Sequence, residues 1–313
     1  MDVRVRALEE RDLAEADRIM RLAFGTFLGM PDPMQMFGDA DIARTRFRAD
    51  PTAALAAEVD GTLVGSNFVA NWGSFGFFGP LSVDVSLWNK KLAQRLMEPT
   101  CELFEKWSCT HSGLFTFSHS AKHAALYQKF DFWPRFLTPG MSKQVGPARS
   151  TGRFVRYSRL STAQKKEALV ACRETTSKIY DGLDVSVEIR SVDQQRLGDA
   201  LLLFDDSKVS AFAICHVGKG SEAGSGACYV KFGAALPGPS VATNFEQLLD
   251  ACESYAAARG VNNLEMGTNM ARQESYRILL ARGFKTVLQG VAMQKSNESG
   301  YNRPGVFVID DWR

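Results

Sequence analysis

Apolar residues along this chain recur in two periods, and the period changes at regular places. Val3 to Leu8 alternates apolar and charged positions, which predicts a half-buried strand; Leu13, Ala16, Ile19, Met20 and Ala23 then recur at helical spacing within 11–24. The segment after it holds Gly25, Gly29, Pro31 and Pro33 and reads as a loop, yet it carries Phe24, Phe27, Met30, Met34, Met36 and Phe37 and therefore packs under something or lines a pocket. A short helix is predicted over 41–48 with Asp41 as its N-cap, and a hairpin from 53–59 and 63–71 turned by Asp60-Gly61. Strand 75–85 follows. At Val83 to Met97 (VDVSLWNKKLAQRLM) the alternation of Leu81, Val83 and Val85 gives way to Leu92, Leu96, Leu103, Phe104 and Trp107, so a strand, a tight turn and an amphipathic helix are expected in succession. Strand 113–118, helix 121–129 and a strand region over 132–141, broken by Pro134 and Pro139, complete the first half.

The second half repeats this order. Strand 154–158, helix 162–179, a hairpin of 200–204 and 209–217, strand 227–235, helix 243–259, strand 263–268, helix 272–282 and strand 286–293 are predicted from the same two periods. Val3 and Phe154 stand 151 residues apart; Leu96 and Leu248, and Phe132 and Phe284, stand 152 apart. The chain therefore reads as two copies of one α/β unit, residues 1–146 and 154–313, joined by a linker over 147–153 with the small and turn-forming residues Pro147, Ser150, Thr151 and Gly152.

Composition narrows the classes. A length of 313 residues suits two domains, 45% hydrophobic with 23% charged residues is the balance of an ordinary soluble protein, and a net charge of +2 without basic blocks argues against nucleic acid as a partner. The amino-terminal residues are charged and no apolar run is long enough for a bilayer, so no membrane partner and a cytoplasmic location are expected. Six cysteines without a C-x-x-C pair sit in apolar segments and read as small buried hydrophobes; His119 and His123 share a helical spacing but lack a third ligand nearby, so no metal is expected. The Gly-rich run Gly218–Gly226 lies between two strands with no helix after it, so it reads as a turn or a flexible lid rather than a nucleotide loop.

The candidate chemistry centres on the 83–97 stretch. A helix opening near Asn89 offers unpaired N–H groups, the positive end of its dipole and Lys90, Lys91 and Arg95, which together can hold a diphosphate; the alternative is a solvated helix start with surface lysines.

The order strand, two helices, three-strand meander, long helix, strand, short helix, strand, with a phosphate-type turn after the fourth strand, resembles the GNAT superfamily of acyl-CoA-dependent N-acyltransferases. Both halves fit, so the chain looks like a tandem GNAT protein: a mixed, mostly antiparallel α+β sheet flanked by helices in each half. The family turn R/Q-x-x-G-x-G/A corresponds to Trp88, Asn89, Lys90, Lys91, Leu92 and Ala93, where Ala93 keeps the pattern while Trp88 and Lys91 depart from it. A Cβ at Lys91 matters if that residue lies at positive φ; its ammonium can compensate electrostatically. Pro99 should kink the helix or remove one of its bonds. The family signature Y-x-x-x-G-F is matched by Tyr127 to Phe132 with Asp131 for the glycine. In the second half the tyrosine position is Leu279, and the turn at 237–245 holds two prolines, so that copy is expected to be degenerate.

What the resemblance implies is an N-acetyltransferase with acetyl-CoA as acyl donor and cosubstrate. It places donor binding on Val83, Val85, Trp88, Asn89, Lys90, Lys91, Leu92, Ala93 and Ser120, the proton donor to the leaving thiolate at Tyr127, and the thioester between splayed fourth and fifth strands. A phenol suits that donor role because it stays neutral near pH 7; the other reading of Tyr127 is an amphipathic core residue. His119 and then Asp84 lead the candidates for a general base, with His123 and Glu58 also weighed; surface positions are the alternative for each. Phe24, Phe27 and Trp72, with Phe68, Phe75, Phe77 and Phe78, make either an apolar acceptor pocket or the contact between the copies or subunits. The expected acceptor is a primary amine of a small, partly hydrophobic molecule, with a protein N-terminus or lysine as the second choice, and the expected assembly a monomer or homodimer; a non-catalytic tandem GNAT-like sensor or scaffold that binds acyl-CoA or another small ligand is the alternative function.

Overall fold

The computed structural model describes residues 2–146, 154–205 and 208–313, so the linker 147–153 and the turn residues Asp206 and Ser207 lie outside it. The first half runs β1 (Arg4–Ala7), α1 (Leu13–Phe27), α2 (Ile42–Ala49), β2 (Ala54–Val59), β3 (Thr62–Trp72), β4 (Phe75–Phe78), β5 (Ser82–Val83), α3 (Leu92–Lys106), β6 (His111–Phe117), α4 (Ala121–Gln128) and β7 (Phe132–Gln144). The second runs β8 (Val155–Arg156), α5 (Thr162–Ile179), α6 (Ser186–Gln194), β9 (Gly198–Asp205), β10 (Lys208–Gly218), β11 (Gly224–Ala235), α7 (Val241–Ala258), β12 (Asn263–Gly267), α8 (Gln273–Ala281), β13 (Lys285–Lys295) and β14 (Val308–Ile309).

Local chemistry explains most boundaries. Asp41 caps α2 by accepting from the Arg44 N–H at 3.1 Å, Ser161 and Gln164 form a capping box on α5, and Asp60 and Gly61 both adopt positive φ in the β2–β3 turn. Three expectations change. Helix α1 continues through Gly25 to Phe27 instead of ending at Phe24, and Pro33 packs so closely on it that a Cβ on Gly25 would sit 2.5 Å away, so this turn of the helix has room only for glycine. The strand predicted over 75–85 is two short strands separated by the cis Gly79–Pro80 bond. Helix α3 begins at Leu92, after the turn, and passes through Pro99 as one helix. Helix α6, which no sequence pattern singled out, buries Ile189 and Val192.

The strands join in one sheet in the order β1-β2-β3-β4-β6-β13-β7-β12-β11-β10-β9-β8, with β5 on β3 and β14 on β11. Pairing is antiparallel except β4 with β6 and β11 with β12, the equivalent positions of the two halves. The centre of the sheet shows an exchange. Strand β13 of the second half lies between β6 and β7 of the first, with Gly290 opposite Phe117, while β7 of the first half pairs with β12 of the second, with Gly140 opposite Gly267. Each half thus receives a strand from the other. Cores on the two faces of the sheet follow: Phe78, Leu96, Phe104, Tyr127 and Phe132 under α3, and Trp72, Phe75 and Phe77 packed with Phe212, Phe232 and Tyr301 where the halves meet.

Candidate active site

Strand β4 and strand β6 run parallel from Phe75 opposite His111 to Phe78 opposite Leu114, and there they part. Beyond the cis peptide, β5 follows β3, with Val83 opposite Gly65, whereas β6 stays with β13. The divergence opens a cavity of about 530 Å³, walled by Leu81 to Val83, Phe115 to Phe117, the start of α3, residues of α4 and the end of α1. Its cations are Lys91, Lys122, Lys129 and, when protonated, His123; among the described residues lining it there is no aspartate or glutamate. Such a wall suits an anionic ligand with a long apolar part.

The turn into α3 is built without glycine. Asn89 and Lys91 take φ of 66° and 65°, and Lys91 is the residue that caps α3. Lysine therefore stands in the left-handed conformation that the family pattern gives to glycine, and it adds a charge there. Trp88 closes the turn by donating from Nε1 to the Val83 carbonyl at 2.9 Å, and the Lys122 ammonium lies 5.2 Å from the centre of its ring. Of the residues expected at the donor, Val83, Trp88, Asn89, Lys91, Leu92 and Ala93 line the cavity. Val85 opens a short 3-10 turn, Lys90 points to solvent and Ser120 caps α4 by accepting from the His123 N–H, so these three stand off its wall.

Tyr127 lines the cavity from α4, edge-on to Phe78 at 5.7 Å, and burial pushes its phenol above the usual range, which keeps it protonated. His119 stacks on Phe27 at 5.6 Å beside the cavity, and His123, which is part of the wall, lies 4.9 Å from the same ring. Burial, reinforced by Lys122 and His119, holds His123 below the ordinary histidine value, hence neutral at pH 7. Asp84 is engaged elsewhere: it accepts from the Ser86 N–H at 2.9 Å and hydroxyl at 2.6 Å and faces Arg18 at 3.6 Å. The Ser86 hydrogen bonds, ahead of the opposing effect of burial, keep its carboxyl below the usual range. Glu58 pairs with Arg6 at 2.8 Å on the outer strands. Phe24 and Phe27 line the cavity; Trp72 instead is buried between the halves, donating to Glu188 at 3.1 Å.

Sequence reasoning missed the Gly79–Pro80 break, Lys122, Lys129 and a charged cluster beneath the break. The Arg46 guanidinium reaches the Gly79 carbonyl, Glu222 at 2.9 Å and the Arg313 carbonyl; Glu222 also binds Lys231 at 2.6 Å, and Lys231 binds Glu188 at 3.0 Å. Glu222 belongs to the Gly-rich run. That run is no flexible lid, since Asp39 accepts from the Ser225 N–H at 2.8 Å and Glu222 is buried.

The equivalent place in the second half is filled. There β14 pairs with β11, Val308 opposite Ala234, and Arg272, the counterpart of Ser120, donates to the Val308 carbonyl at 3.0 Å and Asp310 at 2.7 Å. Gly267 leaves room for Asp311, whose carboxylate would lie 2.4 Å from a Cβ there, and Thr268 donates to Val308 at 3.2 Å. Segment 306–312 occupies the divergence between β11 and β12.

Residues 17–132 match the Acetyltransferase (GNAT) family. This match covers part of the first half, and over its whole length the chain shares the fold of tandem GNAT structures. Similar solved structures include a proposed acetyltransferase from Pyrococcus horikoshii (14% identity, 99% of this chain and 95% of that one, TM-score 0.69) and a GCN5-related N-acetyltransferase from Sphaerobacter thermophilus (14%, 97% and 96%, 0.59). A tandem GNAT protein from the clavulanic acid biosynthesis pathway is similar over 94% of this chain and 98% of its own, at 13% identity and TM-score 0.57. No curated protein sequence matches.

Proposed function

We propose that the chain is an acetyl-CoA-dependent N-acetyltransferase that works from its first half on a primary amine of a small molecule. The observation that carries this reading is the cation-lined cavity in the β4–β6 divergence, with no carboxylate among the described residues that wall it, ending at the left-handed Lys91 turn. The free N–H groups of the first turn of α3, the helix dipole and the Lys91 ammonium would take the diphosphate, with Lys122 and Lys129 adding charge from α4. The donor supplies an activated thioester. Backbone N–H groups of the segment 81–83, which walls the cavity, are the candidates to polarise its carbonyl.

The amine nitrogen forms a bond to the acyl carbon as the carbon–sulfur bond breaks. Tyr127, kept protonated by burial, gives its proton to the departing thiolate. His123 lies in the wall in its neutral form and is better placed than His119 to take the proton lost by the amine, while Asp84 serves the turn it caps. Thiol release over a library of amines tests the reading. Tyr127→Phe is expected to slow release about 100-fold at unchanged acetyl-CoA affinity; an unchanged rate would remove the acid role, and no release with any amine would favour a binding protein.

A further inference from the structure

On the opposite face of β4 lies a second pocket, of about 290 Å³, bounded by α2, β3, the start of α6 and Lys231 of β11. The two cavities border one residue in common. Phe77 lines the second pocket and Phe78 the first, as alternate side chains of a strand do, and Gly79 lines both. A volume near 290 Å³ holds roughly ten waters, which is room for a small molecule.

The pocket's polar groups differ in how far they are committed. Glu188 accepts from Trp72 at 3.1 Å and binds Lys231 at 3.0 Å; Asp50 accepts from the Thr52 N–H and hydroxyl; Asp184 accepts from the Ser186 N–H at 2.8 Å. All three carboxylates already hold protein donors. Two guanidinium groups keep capacity in reserve: Arg46, whose side chain is 9% exposed, has a buried Nε–H with no partner, and Arg190 at the rim makes no ion pair among the described residues. An unpaired buried donor next to a cavity calls for an acceptor.

Resting on the acetyltransferase reading above, we infer that this pocket takes the acceptor and that the acceptor is a small amine bearing a carboxylate, an amino-acid-like molecule. Arg46 also binds the Gly79 carbonyl, so a carboxylate held by Arg46 places an amine a few bonds away at the residue both cavities share. Arg190, at the rim, takes the same carboxylate together with Arg46 and so gives the second half its part in the reaction, which is recognition of the acceptor.

The test uses the full chain with the common amino acids, their carboxamides and the amines left by decarboxylation. Acetyl-CoA binding and thiol release with any amine report on the donor reading; the preference among the three series reports on the acceptor. The expected result is that carboxylate-bearing amines have the lowest KM, and that Arg190→Gln raises this KM about tenfold while leaving the KM of the carboxamides and the acetyl-CoA Kd unchanged. Calorimetric binding of the amino acids to the CoA-loaded protein, weakened to the same extent in Arg190→Gln, gives the same answer without turnover. Equal or better use of the decarboxylated amines, no binding of any amino acid, or an Arg190→Gln profile that matches wild type would overturn the inference, even with acetyl-CoA binding intact.

Discussion

Lys91 occupies a backbone conformation that costs an L-residue about 1 kcal/mol relative to glycine, with its ammonium at the mouth of the cavity. Lys91→Gly is therefore expected to raise thermal stability slightly and to weaken acetyl-CoA binding severalfold, with a smaller salt dependence; binding equal to wild type would take the ammonium out of the account. That Tyr127 and Lys91 belong to one cavity wall was legible in the sequence because each sits in a local pattern of fixed spacing. Arg46, Glu222 and Lys231 were not, since nothing in a one-dimensional pattern joins a residue of α2 to a turn and a strand far along the chain. Asp84 carried a carboxylate at a suggestive position, but Ser86 two residues on offers it a local cap that a reading for catalysis overlooked.

At the scale of elements, periodicity located nearly every helix and strand, and it erred where packing or an isolated residue decides. Helix α1 runs on through Gly25, where the approach of Pro33 leaves room only for glycine, and the strand predicted over 75–85 is two strands with Gly79–Pro80 between them. The Gly-rich turn from Gly218 to Gly226 shows the reverse case, in which flexible composition is pinned by a buried charge. His216 lies beside it, accepts from the Glu222 N–H at 3.4 Å and is held by burial at a pKa of about 4, against 6.5 for an ordinary histidine. The unfolded chain thus binds a proton between pH 6.5 and 4 that the folded chain refuses, so this contribution to stability is present above pH 6.5 and is lost as pH falls towards 4, by at most about 3 kcal/mol. Glu222, kept ionised by Arg46 and Lys231 against its own burial, adds a further loss below the usual carboxylate range. Denaturant midpoints measured from pH 8 to pH 4.5 should fall over this range, and less steeply in His216→Gln; parallel curves for the two proteins would contradict the assignment.

At the scale of the molecule, the exchange of β7 and β13 makes two sequence repeats into one sheet. The repeat was legible because the opening strands, the long helices and the last strands recur at an offset of 151 or 152 residues, the hairpin turns at Asp60 and Asp206 shifting to 146; the exchange was not, because strand order across a sheet leaves no period in the sequence. Neither half has its full sheet alone. Denaturation of the whole chain is expected as a single cooperative transition, and residues 1–146 expressed alone should be unfolded or aggregated, whereas two separate transitions would show that the halves are independent. The same geometry leaves the halves different at this place: an open divergence in the first, and a divergence filled by segment 306–312 in the second. The most direct test is calorimetric titration of the full chain with acetyl-CoA. One molecule bound per chain is the expected result; two would contradict the filled second site, and none would contradict the donor cavity itself.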